Sequence, residues 1–376
     1  MRAARVKPPA TTENRRKRGP GAAWRRAGAR LASVGLLGAA LAGCTPDGAD
    51  TGSGDAGRVA LLLPESKTSR YETFDRPYFE DHLSELCPDC ELIYSNADGD
   101  ASKQQQQAES ALTQDIDVLV LDAVDSSAAL SIVAAANSRG VPVIAYDRSV
   151  EGADVAYFVS FDGVAVGELQ GAALVDAMTA AGNADGNIIM INGSPTDPNS
   201  QTFKDGALQA FAESNLTVIA EYSSPDWSPD KAQEWAAGQV VQHGDQIDGV
   251  YAANDGTAGG AIAAFKAAGM QSVPPVTGQD AELAAIQRIV AGSQYMTVYK
   301  AIPAQARNAA DAAFALLSGA LVDADGDVAG VPTTLLMPVA VTRDNIMDTV
   351  VADGFYTVEQ ICTPQYASAC ADAGIE

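Results

Sequence analysis

The feature that most constrains the fold is a regular alternation of short apolar runs with longer helix-like segments. Between Ile247 and Lys300 three apolar runs end in a polar residue, at Asn254, Asp280 and Lys300, and helix-like segments follow the first two. Short apolar runs separated by helices are typical of a parallel sheet that is covered on both faces. Ligands of open α/β sheets lie beyond the carboxyl ends of the strands. The three residues are therefore candidate ligand contacts, although Asn and Asp are also common turn and cap residues.

The same alternation begins near Arg58 and occurs in two successive halves. Predicted strands of the first half are Val59–Leu63, Glu91–Tyr94, Val118–Leu121, Val141–Ala145 and Val155–Ser160. Those of the second half are Ile188–Ile191, Val218–Glu221, Val250–Ala253, Val273–Thr277 and Tyr295–Tyr299. Two similar halves in tandem predict two doubly wound parallel-sheet lobes with a cleft between them. A helix at Pro303–Leu317 and one long strand at Thr333–Val341 follow, so the chain is expected to return to the first lobe and cross once more. Three crossings form a three-segment hinge, which suits closure around a ligand.

This organisation divides the chain into five predicted parts. They are a signal peptide (1–43), a flexible tether (44–57), an N-terminal lobe (58–161 plus 301–336), a C-terminal lobe (162–300 plus 337–360) and a C-terminal tail (361–376). The length of 376 residues suits about two domains, and a composition that is 47% apolar is ample for two buried cores.

The amino terminus is basic and leads into a short apolar run. Leu31–Leu41 is too short to span a bilayer and is followed by Ala42-Gly43-Cys44. Small residues before a cysteine resemble a bacterial lipoprotein signal, which implies cleavage before Cys44 and acylation of its thiol. An ordinary secretory peptide with a chance cysteine is the alternative. The protein is therefore expected to be exported and lipid-anchored on the outer face of the cytoplasmic membrane.

The charge of the chain is strongly asymmetric. The first 43 residues hold ten of the 24 basic residues and one of the 48 acidic ones, which leaves 14 basic and 47 acidic residues and a net charge of −33 for the rest. So acidic a body should repel nucleic acid and anionic lipid surfaces. No nucleic-acid partner is expected.

Four cysteines follow the predicted lipidation site, namely Cys87, Cys90, Cys362 and Cys370. An even number in an exported protein predicts disulfides. The local pairs 87–90 and 362–370 are favoured, although three connectivities exist. Zinc is the alternative, because Cys87-Pro-Asp-Cys90 has ligand spacing, but no histidine neighbours the second pair.

One acidic stretch resembles the start of a calcium-binding loop. In the segment Asp323-Ala-Asp325-Gly-Asp327 the glycine stands two positions early, and no glutamate stands at the expected end. We interpret it as an acidic surface turn, and we expect no metal and no cofactor.

Polar and aromatic residues gather at the other predicted strand ends as well. Beyond Asn254, Asp280 and Lys300, these residues are Arg70, Tyr71, Asp147, Arg148, Asp197, Asn199 and Trp227. Carboxylate, amide and guanidinium groups can each form paired hydrogen bonds with sugar hydroxyls. The C–H face of a sugar ring packs on an aromatic ring. This set of residues therefore favours a monosaccharide as ligand.

Several segments together resemble the D-xylose-binding proteins of bacterial ABC importers, which belong to the ribose- and galactose-type periplasmic binding proteins. The segments are Ala145–Arg148, Tyr157–Asp162, Val166–Gln170, Gly193–Pro195, Ala253–Ala261, Gly278–Ala281 and Met296–Lys300. The resemblance extends from about Val59 to Phe355. It implies the type I periplasmic-binding-protein fold and a monomer that passes D-xylose, or a related aldose, to a membrane permease and its ATPase.

The resemblance also implies where the sugar binds. The positions at which the family contacts its sugar correspond to Arg70, Asp147 and Arg148 in the first lobe and to Lys300 at the crossing. In the second lobe they correspond to Asn199, Trp227, Asn254 and Asp280. Tyr71 stands where the family often has tryptophan, which implies a stacking role, and Asp197 keeps its place near Asn199. This chain departs from the family at Pro198 and at Glu65-Ser-Lys-Thr68, so sugar preference is most open at these two loops.

Three other functions are less consistent with the sequence or remain as alternatives to this one. An enzyme on the same fold is disfavoured because the only histidines, His82 and His243, lie away from the strand ends and no catalytic or phosphate-binding motif is present. A transcription regulator would need a DNA-binding segment before Val59, where an export signal stands instead. A sugar-sensing or chemotactic protein for another monosaccharide remains an alternative.

Overall fold

The computed structural model of the protein describes residues 57–270 and 272–375. The predicted signal peptide, the predicted lipidation site at Cys44 and all but the last residue of the predicted tether lie outside the described residues. Within these ranges no helix is both long and apolar enough to cross a bilayer.

The first lobe is built on one seven-stranded sheet. Its strands are β1 (Arg58–Leu63), β2 (Glu91–Asn96), β3 (Val118–Leu121), β4 (Val143–Tyr146), β5 (Tyr157–Phe161), β10 (Gly326–Val328) and β11 (Val331–Leu336). Their order across the sheet is β2-β1-β3-β4-β5-β11-β10. All neighbours are parallel except β10, which runs antiparallel to β11.

Helices cover both faces of this sheet. One face carries α1 (Arg76–Leu86) and α9 (Ile302–Leu317), and the other carries α2 (Ala101–Leu112) and α3 (Ala129–Ser138). Successive side chains of a strand point to opposite faces. In β1, Val59, Leu61 and Leu63 pack with α1 and α9, whereas Ala60 and Leu62 pack with α2 and α3. Burial on both sides explains why β1 is a continuous apolar run.

The second lobe has a smaller sheet of three parallel strands in the order β7-β6-β8, and a separate antiparallel pair of β9 and β12. The strands are β6 (Asn187–Asn192), β7 (Thr217–Ser223), β8 (Gly249–Ala252), β9 (Met296–Tyr299) and β12 (Val339–Thr342). The helices are α4 (Gly163–Ala180), α5 (Pro198–Ala212), α6 (Pro229–His243), α7 (Asp255–Ala267), α8 (Leu283–Val290), α10 (Val358–Ile361) and α11 (Ala367–Ala373). Alternate residues of β6 pack with α4 and α5 on one face and with α6 and α7 on the other.

The predicted strand at Val273–Thr277 is wrong as a regular strand. Only one bridge, between Val250 and Val276, joins this segment to β8. Pro274 and Pro275 lack the backbone N–H that a ladder needs, which explains the irregularity. The segment still links the two parts of the lobe, because Tyr295 N donates to Val276 O at 3.0 Å.

The predicted single strand at Thr333–Val341 is also wrong. The chain breaks at Met337-Pro338 into β11, which pairs with β5 in the first lobe, and β12, which pairs with β9 in the second. The break is the third crossing between the lobes, after those at Asp162 and at Lys300-Ala301. The three-segment hinge and the two-lobed α/β fold are thus confirmed. The exact domain boundaries stay a prediction.

The segment predicted as a C-terminal tail is folded. Cys370 and Ile375 are buried in the same core as Ile286 and Ile289 of α8. Both predicted local disulfides, Cys87–Cys90 and Cys362–Cys370, are present. These thiols are therefore not available as zinc ligands.

The acidic turn at Asp323–Asp327 is exposed at its three aspartates. Across the described ranges, no three His, Cys, Asp or Glu side chains are grouped as a metal ion would need.

Candidate functional site

One cavity, lined mostly by buried residues, lies at the carboxyl ends of strands from both lobes. All ten residues predicted as ligand contacts line it, namely Arg70, Tyr71, Asp147, Arg148, Asp197, Asn199, Trp227, Asn254, Asp280 and Lys300. Asn199 is half-buried, and each of the other nine is at most 5% exposed. Charged groups at this depth need partners, because an unpaired buried charge costs several kcal/mol.

The first-lobe wall is a closed hydrogen-bonded cluster around Arg70. Arg70 lies at the start of a π-helical turn that leads into α1, and its guanidinium donates to Asp75 at 2.7 and 2.9 Å and to Asp147 at 2.9 Å. It also donates to Gln305 Oε1 at 2.7 Å, and the Gln305 amide donates back to Asp147 at 3.1 Å. Tyr146 donates to Asp75. We call these five residues the first-lobe cluster.

The charge state of Asp147 follows from this cluster. Burial alone would raise the pKa of the carboxyl group. The positive charges of Arg70, Lys300 and Arg148, with the hydrogen bond from Gln305, outweigh burial and hold its pKa well below the usual range. Asp147 is therefore an ionised, acceptor-only group at neutral pH.

Arg148 joins the two lobes. Its guanidinium donates to the Ala123 carbonyl at 2.9 Å and to the Tyr71 hydroxyl at 3.0 Å, both in its own lobe. Its Nε lies 2.9 Å from Asp197 Oδ2, across the cleft, and 3.4 Å from Asp122 Oδ1. Nε has no aligned hydrogen bond to any described residue. The guanidinium thus holds Tyr71 in place and forms an ion pair with Asp197 across the cleft.

Asp122 is a neighbour of Arg148 that does not itself line the cavity and was not among the predicted contacts. It directly follows β3 and is fully buried, and burial raises the pKa of its carboxyl group. Within the described chain neither of its oxygens has a hydrogen-bond partner. Its proximity to Arg148 accounts for its position.

Trp227 forms part of the second-lobe wall and is fixed on three sides. Its indole N–H donates to Asp197 Oδ2 at 3.0 Å, and its ring lies 6.3 Å from the Phe203 ring. Gly193 lies directly against the indole, since a Cβ at that position would be 1.9 Å from the ring. Only glycine therefore leaves room for this indole position.

Asn254 and Asp197 are both helix caps and cavity residues. Asn254 Oδ1 accepts from Thr257 N at 2.9 Å in a capping box at the start of α7. Asp197 Oδ1 accepts from Asn199 N at 2.9 Å at the start of α5. Asn254 and Asp197 thus cap a helix with one oxygen and also line the cavity, whereas their role in ligand binding stays a prediction.

Asp280, Lys300 and Gln279 occupy the remaining corner of the cavity. Asp280 Oδ1 lies 2.9 Å from Lys300 Nζ and 3.9 Å from Arg70 Nη1, and its Oδ2 accepts from the Gln279 amide at 3.0 Å. Within the described residues, Asp280 Oδ1 and Gln279 Oε1 have no aligned hydrogen-bond donor. We call these three residues the second-lobe corner.

Three cavity residues have a positive φ angle, a backbone conformation that residues other than glycine rarely adopt. The φ angles are +58° at Asp147, +54° at Trp227 and +95° at Asp280. Such residues cost on the order of 1–3 kcal/mol each, and they cluster at functional sites because the surrounding structure holds them in place. The cavity lining thus holds three of the eight non-glycine residues with positive φ in the described chain.

Contacts outside the cavity hold the lobes together. Ser69 N donates to Glu282 Oε1 at 3.3 Å, and Ser126 N donates to Thr196 O at 3.2 Å. Lys67 Nζ lies 3.7 Å from Asp226. The lobes are therefore closed on one another.

Sequence reasoning did not select three cavity-lining residues, Thr68, Phe203 and Gln279. Thr68 and Gln279 lie in the same strand-end loops as Arg70 and Asp280, so position alone could have indicated them. Phe203 lies inside α5, where an apolar residue is expected to be core.

The arrangement suits binding better than catalysis. The cavity holds carboxylates, guanidiniums, an ammonium, amides and aromatic rings, and the described residues place neither His82 nor His243 in its lining. Two α/β lobes that close over a buried polar cavity at their strand ends define a two-lobed ligand-binding protein.

Comparison with known proteins identifies the family. A model of the periplasmic binding protein domain matches residues 59–321. The D-xylose-binding periplasmic protein of Haemophilus influenzae is 35% identical over 312 residues, which cover 81% of this chain and 92% of the relative. The D-xylose-binding periplasmic protein of Escherichia coli is 34% identical with the same coverage.

A solved structure supports the same assignment. The ABC transporter solute-binding protein of Clostridium phytofermentans, crystallised with β-D-glucose, superposes with a TM-score of 0.75 at 25% identity and covers 81% of this chain and 99% of its own. The chain belongs to the periplasmic binding protein family. It is a binding protein and not an enzyme.

Proposed function

We propose that this protein binds D-xylose, or a closely related aldose, in the cavity between its lobes and delivers the sugar to an ABC importer. The observation that carries the proposal is the cavity's lining of acceptor and donor groups beside Trp227, Phe203 and Tyr71. A pyranose offers hydroxyls to such groups and an apolar C–H face to such rings. The relatives that bear the name D-xylose-binding protein favour xylose within this class.

The burial of the lining supports a small, enclosed ligand. Nine of the ten predicted contacts are at most 5% exposed, so a ligand among them is surrounded by protein on nearly all sides. A buried polar cavity also discriminates strongly, because a sugar that lacks an expected hydroxyl leaves a protein group unpaired. A single monosaccharide is therefore the ligand that fits best.

The residues have separate roles in this proposal. The polar side chains bind the sugar hydroxyls and the ring oxygen, and two aromatic side chains, Trp227 and Tyr71, stack on the ring. The polar residues are Arg70, Asp147, Arg148, Asp197, Asn199, Asn254, Asp280 and Lys300. Closure brings Arg148 and Asp197 together across the cleft. In this proposal the permease recognises the closed form, because the closed and open forms offer it different contacts.

Calorimetric titration of the chain from Thr45 onward tests sugar binding. We expect D-xylose to bind one per chain and more tightly than D-glucose, D-ribose or L-arabinose, and we expect Asp280→Ala and Trp227→Ala to abolish measurable binding. Tighter binding of another aldose would replace xylose as the ligand. Absence of binding by all four sugars would overturn the proposal.

We further propose that the mature chain is a monomer, exported and anchored by acylated Cys44 to the outer face of the cytoplasmic membrane. The anchor would keep the binding protein close to the permease and its ATPase. Expression of the full chain in a bacterial host should place it in the membrane fraction, and Cys44→Ser should release it. A Cys44→Ser chain that stays in the membrane fraction would contradict the anchor.

A further inference from the structure

We propose that Gln279 is a specificity-determining residue of the cavity, whose side-chain carbonyl accepts a hydrogen bond from the sugar hydroxyl adjacent to the one that Asp280 binds. This inference rests on the proposed sugar-binding function and adds to it the class of sugar that the second-lobe corner accepts.

The orientation of the Gln279 amide follows from its neighbour. Its Nε2 donates to Asp280 Oδ2 at 3.0 Å, and Asp280 is ion-paired with Lys300. A carboxylate only accepts hydrogen bonds, so the amide nitrogen must face it. The carbonyl Oε1 then points away from Asp280. Gln279 is 2% exposed and lines the cavity, and no described residue donates to its Oε1.

The backbone around Gln279 prevents this side chain from finding another partner easily. Asp255 N donates to Gln279 O at 3.0 Å, and Asp280 N donates to Val298 O at 2.9 Å. A Cβ at Gly278 would lie 2.0 Å from Asp255 Oδ1, so the loop is pressed against Asp255. A group held in this way is pre-organised for a ligand, because little ordering is left to occur on binding.

Two acceptors of the corner lack an aligned hydrogen-bond donor, and they favour two neighbouring hydroxyls. Gln279 Oε1 and Asp280 Oδ1 belong to consecutive residues that share a hydrogen bond, and neither has an aligned donor within the described residues. Adjacent hydroxyls of a pyranose can each donate one hydrogen bond. A ring oxygen or an acetal oxygen facing Gln279 would place two acceptors together, and a methylene would leave Oε1 unpaired. The corner therefore selects a sugar with a free vicinal diol.

Calorimetric titration of the full chain with D-xylose and its 2-deoxy, 3-deoxy and 4-deoxy derivatives tests the proposal. In the wild-type protein we expect the loss of the hydroxyl that faces Gln279 to weaken binding roughly ten- to a hundredfold. Gln279→Met keeps the length of the side chain and removes the acceptor together with the amide donor to Asp280, which stays paired with Lys300. In this variant the penalty for that one deoxy sugar should disappear, while the penalties for the other two remain.

Gln170→Met is the matched control. Gln170 is also a fully buried glutamine whose Oε1 has no partner in the described chain, and its amide donates to Gly278 O at 3.0 Å. It supports the same loop from outside the cavity lining. We expect Gln170→Met to change the affinities for all four sugars by one common factor.

The outcomes separate this proposal from the proposed function. If the wild-type chain binds none of D-xylose, D-glucose, D-ribose and L-arabinose, the proposed function fails. If the wild-type chain binds xylose but Gln279→Met keeps all three penalties, or loses all three together, the role of Gln279 is overturned. Circular dichroism checks folding, and Gln279→Leu provides the same readout if the methionine variant does not fold.

Discussion

The first-lobe cluster and the second-lobe corner face each other across one cavity but differ in how their polar groups are paired. In the cluster, Arg70 donates four hydrogen bonds within the protein, to Asp75, Asp147 and Gln305. In the corner, two acceptors remain without an aligned donor among the described residues. A buried network in which most groups are hydrogen-bonded gives rigidity, whereas acceptors without an aligned donor are completed by a ligand. We therefore expect the cluster to determine stability first and the corner to determine affinity first.

The largest expected effect is the loss of stability on removing the charge at the centre of the cluster. Arg70→Met leaves the carboxylates of Asp75 and Asp147 buried without their main partner. Breaking a buried pair in this way costs about 3–5 kcal/mol. Urea unfolding without sugar should show a loss of this size in the free energy of unfolding.

Lys300→Met is the matched charge deletion in the corner. It leaves Asp280 with Arg70 at 3.9 Å and with its hydrogen bond from Gln279, so we expect a smaller loss of stability and a complete loss of measurable sugar binding. Equal losses of stability in the two variants would show that the two walls do not differ in the way described.

An intermediate effect is expected at Gly193, where overpacking changes the second-lobe wall without removing a polar group. Gly193→Ala places a methyl group within 1.9 Å of the Trp227 ring, so the indole must move. Overpacking of this kind costs about 1–3 kcal/mol, and we expect sugar affinity measured by calorimetry to fall by roughly tenfold or more.

Gly238→Ala is the control for that substitution. Gly238 lies within α6 of the same lobe, and no atom stands within 4 Å of a Cβ there. The change should raise the melting temperature slightly, because alanine favours a helix over glycine, and it should leave affinity unchanged. If Gly193→Ala also left the sugar affinity unchanged, the position of the Trp227 ring would be excluded as a determinant of binding.

The remaining expected effect is a pH dependence that distinguishes Glu282 in the second lobe from Asp147 in the first. Burial, followed by the negative charge of Asp280, raises the pKa of Glu282 from its ordinary value of 4.5 to about 7. The folded protein then binds more protons than the unfolded chain between these values, so the Glu282 contribution to stability falls as pH rises from about 4.5 to about 7. Asp147, whose pKa is lowered, contributes stability that is lost only as pH falls below its ordinary value of 3.8.

Glu282→Gln isolates the first of these contributions. Asp122, Asp197 and Asp255 also have raised pKa values, so the useful quantity is the difference between wild type and variant. Urea unfolding at pH 5 and pH 7.5 should show that the wild-type protein loses more stability on going to the higher pH than Glu282→Gln does. An identical pH dependence in both proteins would contradict the raised pKa of Glu282.

Local sequence patterns were sufficient for the fold and for where the cavity lies. A strand buried on both faces must be a continuous apolar run, as β1 and β3 are, and the end of such a run marks the edge of a parallel sheet. For this reason all ten predicted contacts proved to lie around one cavity. The same patterns failed at Val273–Thr277 and Thr333–Val341, because apolar character does not reveal where prolines and a lobe crossing interrupt a ladder.

Only the tertiary structure decided how the polar groups are paired. Arg70 and Gln305 are 235 positions apart, and Asp147 and Gln305 are 158 apart, so no local pattern could join them. The sequence likewise indicated that Gln279 follows a strand but not that its carbonyl lacks a partner. Hydrogen-bond pairing depends on distances of about 3 Å between segments that are remote in the chain, and these distances exist only once both lobes have folded.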